Sequence, residues 1–373
     1  MRILPDSVLA LLLGLMLLAA RGTEAQAAPH RPQDEGRHDT PFESWVVLAH
    51  LTAPDGAERD LWVAFFTGAV SVARVSGVYV VLANGADGSY RVRQKLEMPL
   101  VGRVSHTRGS LRERYGSNEL TRSPGGAYEL SLNLDGFRLE LSLTPRKPVT
   151  DLGEITVGRG RRQRHVASPR GEVVARVTEE GSTLPLRGLG VFQHLWGAAP
   201  EQEGVAEMFS LHLDDGSDAL TMVNRSLPAN NSLVLVDSAG VPRVLREFTV
   251  TADGVGDGSG LSGGWRFRAD SADLDLRVMP RDQGVRVDFA GIPFRIVRAQ
   301  VEGRSGGRKV TGQAYTTCGP RSAERLRPPA GTVAPAVAEP SSRRSIERPP
   351  AMQRAFRLPY GRRILLLFTR DKT

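Results

Sequence analysis

Seven histidines, His30, His38, His50, His106, His165, His194 and His212, and the lone Cys318 are the side chains of this 373-residue chain best suited to moving protons or gripping a metal. His194 stands apart. It sits in Gly188-Leu189-Gly190-Val191-Phe192-Gln193-His194-Leu195-Trp196-Gly197, an aromatic-rich run with one titratable ring, and an apolar wall can shift such a ring into the role of acid or base. The alternative is a hydrogen-bonded core histidine. Gly260-Leu261-Ser262-Gly263-Gly264 fits the G-x-S-x-G nucleophile elbow, but that motif works at a strand-to-helix turn, and here a glycine-rich stretch leads into a predicted strand. Asp253 and Asp257 lack the acidic cluster and closing glutamate of a calcium loop. Cys318, just beyond the last predicted strand Val310–Tyr315, is expected near solvent with a structural role at most, so that serine could replace it with little effect. One cysteine excludes an intramolecular disulfide and any zinc site of several thiolates. With no P-loop, dinucleotide fingerprint or paired-His motif either, no metal and no cofactor are expected.

The elements that must position His194 are strands. Tyr128, Leu130, Leu132 and Leu134 alternate with polar residues, Asp135-Gly136 turns the chain, and Phe137, Leu139, Leu141 and Leu143 alternate in return, which predicts a hairpin with one wet and one dry face. Similar strands are predicted at Trp45–Leu51, Leu61–Phe66, Val78–Leu82, Val173–Val177, Met208–Leu213, Trp265–Arg268 and Val310–Tyr315, among others. On the first of these, Ser44, Val46, Leu48 and His50 share a face and Trp45 points the other way. So many short strands suit two antiparallel barrels rather than a parallel sheet with helices. The expected organisation is an export signal over 1–27, a polar leader over 28–40, barrels over 41–185 and 186–320, a linker over 321–350 and a basic tail over 351–373.

Charge sharpens this division. The net charge of +8 lies wholly beyond residue 320, where twelve basic residues face four acidic ones, so the body has no basic field and nucleic acid is not an expected partner. The tail could meet an anionic membrane surface, and its short apolar run Ile364–Phe368 cannot span one. At the other end, the uncharged run Val8–Ala20 precedes Ala25-Gln26-Ala27, which predicts cleavage after Ala27 and a periplasmic or secreted location. An uncleaved N-terminal anchor is the alternative.

Several segments, taken in order, resemble the AttH-like and carotenoid 1,2-hydratase (hydroxyneurosporene synthase) family. Its opening E-W-W-Y-x-x-G-H-L is echoed by Glu43-Ser44-Trp45-Val46-Val47-Leu48-Ala49-His50-Leu51, and its D-H-x-W-G by Gln193-His194-Leu195-Trp196-Gly197. The strand running into L-D-D-G is echoed by Phe209-Ser210-Leu211-His212-Leu213-Asp214-Asp215-Gly216, followed by Trp265 and Gly312-Gln313-Ala314-Tyr315. The resemblance implies an all-β chain of two consecutive lipocalin-like barrels and a hydrophobic, isoprenoid- or lipid-like ligand, with Trp45, His50, Phe192, Gln193, Trp196, Phe209, Trp265 and Tyr315 as binding residues. It places His194 in the second barrel as the catalytic residue, with Glu43, Glu207 or Asp214 as its acid. Two signature acids of the family fall on Gln193 and Val223, which cannot donate a proton to a double bond. Hydratase-, hydrolase- or isomerase-type chemistry centred on His194 and Glu43 therefore stands beside a second reading, a non-catalytic carrier or sensor.

Overall fold

The computed structural model describes residues 32–70, 73–97, 104–107, 109–157, 161–199, 207–224, 231–253, 263–289 and 292–318. The predicted export signal and the tail from 321 lie outside the described residues, as does Gly260-Leu261-Ser262 of the elbow motif. A 3-10 turn, Pro32–Glu35, opens the described chain. Twelve strands form the first sheet: β1 Phe42–Thr52, β2 Glu58–Val70, β3 Ala73–Asn84, β4 Tyr90–Glu97, β5 Val104–His106, β6 Arg112–Tyr115, β7 Asn118–Arg122, β8 Tyr128–Leu134, β9 Phe137–Pro145, β10 Thr150–Val157, β11 Arg161–Glu179 and β12 Ser182–Gly197. Ten form the second: β13 Glu207–Leu213, β14 Asp218–Val223, β15 Ser232–Val236, β16 Pro242–Leu245, β17 Thr249–Ala252, β18 Trp265–Ala269, β19 Leu274–Pro280, β20 Val285–Phe289, β21 Ile292–Ser305 and β22 Arg308–Cys318. Every pairing is antiparallel and both sheets are barrel-like, the first curling so that β3 approaches β6 and β4 approaches β8.

The strand orders match. The first sheet runs β4-β3-β2-β1-β12-β11-β9-β8-β7-β6-β5 with β10 on the side of β11; the second runs β16-β15-β14-β13-β22-β21-β19-β18-β17 with β20 on the side of β21. Each barrel is thus closed at its centre by its last strand lying beside its first. A duplication invisible in the residue sequence is plain in the topology.

Period-two burial builds each barrel as the sequence pattern requires. The hairpin β8–β9 pairs Leu134 with Phe137 across Asp135-Gly136, both at positive φ, the geometry that a two-residue turn needs to match strand twist. Its inward residues join Trp45, Phe65, Tyr115 and Phe192 in one core. Phe209, Trp265, Phe267 and Leu276 centre the second. A third layer, with Val46, Leu48, Trp62, Leu220 and Tyr315, packs the outer faces of the two sheets together.

Two expectations are corrected here. The boundary between residues 185 and 186 falls inside β12, which is bonded along its length to β1 and β11 of the first sheet, so His194 lines the first barrel, not the second. The Gly181-Ser182 turn reads as a boundary in sequence, yet it leads from β11 into β12 of the same sheet, and Gly188 is demanded by packing: a Cβ there would lie 2.0 Å from the His50 carbonyl oxygen. Cys318, expected beyond the last strand and near solvent, is instead the final residue of β22 and buried in the second core.

Candidate functional site

Strand β1 sends alternate residues to opposite sides. Glu43, Trp45 and Val47 face the first barrel's interior, where β12 supplies Phe192, His194 and Trp196. Trp45 lies directly opposite His194 in the ladder, and their rings stack at 4.9 Å. Glu43 and His194, both fully buried, meet with Oε1 3.0 Å from Nε2. Of the three acids considered as partners only Glu43 is there. Glu207 is on β13, and Asp214 sits at a turn of the second barrel bonded to Thr311.

The ring's other nitrogen fixes the proton count. Nδ1 of His194 lies 2.8 Å from the Asp34 carbonyl oxygen, which can only accept, so Nδ1 carries a hydrogen. The contact of Nε2 with a carboxylate oxygen then requires a second proton between them, and the pair holds one more than a neutral imidazole beside a carboxylate. Burial alone would raise the Glu43 pKa, but hydrogen bonds from His194 and His38 hold it below the usual carboxylate range. His38 contributes its backbone N–H, 3.0 Å from Oε1, and its Nδ1, 2.9 Å from the same atom. The proton between the pair therefore belongs mainly to His194. Burial works against that charge and lowers the His194 pKa, while Glu43 opposes the shift.

His38, one of the seven histidines, was given no part beside His194 from the sequence. It belongs to the polar leader, which lacks hydrophobic period, and the structure folds that leader into the barrel. The Glu35 carbonyl accepts from Trp45 Nε1 at 2.9 Å, and its buried carboxylate pairs with Arg122 and accepts from the Tyr128 hydroxyl. Arg37 reaches Thr67 and lies 3.8 Å from Glu113. Burial pushes the Glu113 carboxyl up to about 8, Arg37 opposing it. The His38 ring stacks on Trp196 at 4.1 Å. Although no metal motif was expected, the donor atoms of His38, Glu43 and His194 all lie within 4.8 Å of one another, a set of two imidazoles and a carboxylate that suits a transition metal in chemical type.

The predicted binding residues divide among three places. Trp45, Phe192 and Trp196 surround the site just described. Phe209 and Trp265 meet edge to face inside the second barrel. His50, Gln193 and Tyr315 lie between the barrels: Tyr315 stacks on His50 at 4.3 Å and donates to the Ala49 carbonyl, and Gln193 donates to Ser210. That layer carries two matching clasps. Asp60 binds His50 and, from the second barrel, Arg298; Asp218 binds His212 and, from the first, Arg170 and Lys147. Hydrogen bonds and cations hold both aspartates below the ordinary range although burial would raise them. A groove of about 500 Å³ on the outer polar face, lined by Glu119, Glu129, Glu140 and Arg176, shares no residue with any of these.

Comparison with known proteins agrees with this architecture. The sequence pattern of the AttH-like family matches residues 23–317, and the chain belongs to that family. No curated protein matches it in sequence. Among solved structures, a protein assigned as AttH from Nitrosomonas europaea shares 18% identity at a TM-score of 0.63, over 78% of this chain and 97% of that one. Kievitone hydratase from Nectria haematococca shares 13% at 0.61, over 80% and 94%. CghA, solved with Sch210972, shares 13% at 0.53, over 79% and 94%. At these identities the likeness shows the fold.

Proposed function

We propose that this member of the AttH-like family is an exported protein that takes a hydrophobic small molecule into its first barrel and moves a proton to or from it through His194. The observation that carries the reading is the line Glu43–His194–Asp34. Glu43 on Nε2 orients and charges the imidazole, and the Nδ1 hydrogen is aimed at a carbonyl oxygen that stands where a substrate oxygen or polarised double bond would lie. A buried imidazolium held this way is a stronger acid than one in water, because burial disfavours its charge. Hydration, hydrolysis and double-bond migration each need such a donor, and the same nitrogen can take the proton back. Two structural relatives bear on the class: one is a hydratase by name, the other was solved with a small molecule bound.

The test starts from the lipophile retained on purification, identified by native mass spectrometry. Wild-type protein is expected to convert it, and His194→Gln, which keeps a hydrogen-bonding group but cannot gain a proton, should be about 10²–10⁴-fold slower. Its affinity should stay within about tenfold, since binding rests mainly on apolar contact. Full activity in that variant would end the acid–base role. Recovery of the molecule unchanged from wild type would favour a carrier, a reading supported by Gln193 and Val223, neither able to donate a proton, buried where the family's signature acids are expected. Export itself predicts Ala28 as the mature N-terminus, read by mass spectrometry of the extracytoplasmic fraction. Cleavage there leaves the leader from Pro32 intact.

A further inference from the structure

Four hydrogen-bond donors from four strands converge on two consecutive residues of the leader. Arg122 of β7 and the Tyr128 hydroxyl of β8 hold the Glu35 carboxylate, the latter at 3.2 Å. Trp45 Nε1 of β1 holds the Glu35 carbonyl, and His194 Nδ1 of β12 the Asp34 carbonyl. The walls around them are aromatic. Tyr128 stacks on Phe192 at 3.9 Å, Trp45 on His194 at 4.9 Å, and the Arg122 guanidinium lies 5.4 Å from the Tyr128 ring centre.

A carboxylate 1% exposed is tolerated only where charge and hydrogen bonds replace water. The barrel supplies that replacement from strands far apart in sequence, while every acceptor of the set comes from one short segment. Any molecule that reaches these four donors must displace Asp34 and Glu35, and it leaves buried donors unpaired unless it brings acceptors of its own to the same places. We infer that the ligand is a hydrophobic carboxylic acid carrying a further carbonyl or hydroxyl oxygen, and that the leader occupies its site as a built-in surrogate, Glu35 standing for the acid. Arg122 reads the carboxylate, the aromatic walls take the apolar body, and the second oxygen falls to Trp45 and His194. This inference rests on the ligand entering the first barrel and deepens that reading by naming the ligand's chemistry.

Its test needs no turnover and leaves Glu43 and His194 untouched. The full chain, its Glu35→Ala and Glu35→Gln variants, and Glu35→Ala combined with Arg122→Met are titrated with cis-parinaric acid and with its methyl ester, following energy transfer from tryptophan. Glu35→Ala should bind the acid at least tenfold more tightly than wild type and change by less than threefold toward the ester. Glu35→Gln, nearly isosteric and so the safer fold, should move the same way by a smaller factor, and Arg122→Met should cancel the gain. Millimolar butyrate should raise the melting temperature of Glu35→Ala and not that of wild type. Equal gains for acid and ester, or no gain in either Glu35 variant, overturn the inference while leaving proton chemistry at His194 standing. Failure of both probes to bind any of the proteins overturns both readings.

Discussion

The two barrels share a strand order and differ inside. His50 pairs opposite Leu189 and His212 opposite Gln313, so the two ladders can be aligned, and five residues further along β12 and β22 stand His194 and Cys318. Gly188 and Gly312 are equivalent as well. At each, a Cβ would press on the carbonyl of the paired histidine, at 2.0 and 2.2 Å. Around His194 the first interior buries Glu35, Glu43 and Glu113; around Cys318 the second is centred on Phe209, Trp265 and Phe267 in edge-to-face contact. Buried charge costs stability unless paired, and the second barrel, which buries Glu207 in phase with Phe209 on β13, carries less of it around its aromatic centre. The same scaffold has therefore been filled mainly for packing in one barrel and with a cluster of carboxylates and histidines in the other, and that cluster marks the site.

That contrast makes the second interior the place where damage should be purely structural. Trp265→Ala removes a fully buried indole from the second core, and the loss of its transfer energy plus the cavity left behind should cost about 3–5 kcal/mol, read by denaturant unfolding. At temperatures where this variant stays folded, its affinity for a lipophilic acid and any turnover should match wild type. A selective loss of binding would place a ligand in the second barrel and break the contrast.

A smaller effect, and one of opposite sign, is expected from Glu113 in the first interior. Its folded pKa of about 8 lies above the ordinary 4.5, so the folded chain keeps a proton that the unfolded chain has already released. Stability contributed by this group is complete below pH 4.5 and is lost as pH rises toward 8. Glu113→Gln cannot ionise. It should match wild type near pH 4 and exceed it by about 2 kcal/mol at pH 6, measured by urea unfolding at the two pH values. Wild type and variant with parallel pH profiles would mean that Arg37, 3.8 Å away, fully compensates the charge.

Much of this contrast could be read in sequence at the level of strands, and little of it at the level of contacts. Alternation located β8 and β9 because their faces are cleanly wet and dry. It located only Val173–Val177 of β11, which continues through a bulge at Ser168-Pro169-Arg170, the register shifting between Ser168 and Gly171. Gly188–Gly197 of β12 was legible as an aromatic-rich strand, but its place in the first sheet was not, because its glycines answer to neighbouring backbone rather than to local propensity. Glu43 and His194 were identifiable from family resemblance, but their 3.0 Å contact depends on the first and last strands lying side by side, which no local pattern specifies. His38 and Glu35 were unreadable for a different reason. A polar segment without period looks the same whether it is solvated or inserted among buried donors, and only the donors' positions in three dimensions distinguish the two.

Cys318 supplies the smallest and most discriminating prediction, because it occupies the place of His194 without its surroundings. Treated as a residue near solvent, it could be exchanged for serine at no cost. In β22 it is buried among Phe209, Trp265 and Ala314, and serine there exchanges a weakly polar sulfur for a hydroxyl that must find a partner or lose one to water. Thr316, whose Oγ1 is 3.8 Å from the sulfur, is within reach to supply part of that bonding. Cys318→Ser should therefore lower stability by about 1 kcal/mol, and ligand affinity not at all. Cys318→Ala, which adds no polar atom, should cost less than serine if polarity is the cause and more if lost volume is. A Cys318→Ser variant that weakens binding of a lipophilic acid would show that the two equivalent positions share a function as well as a place in the fold.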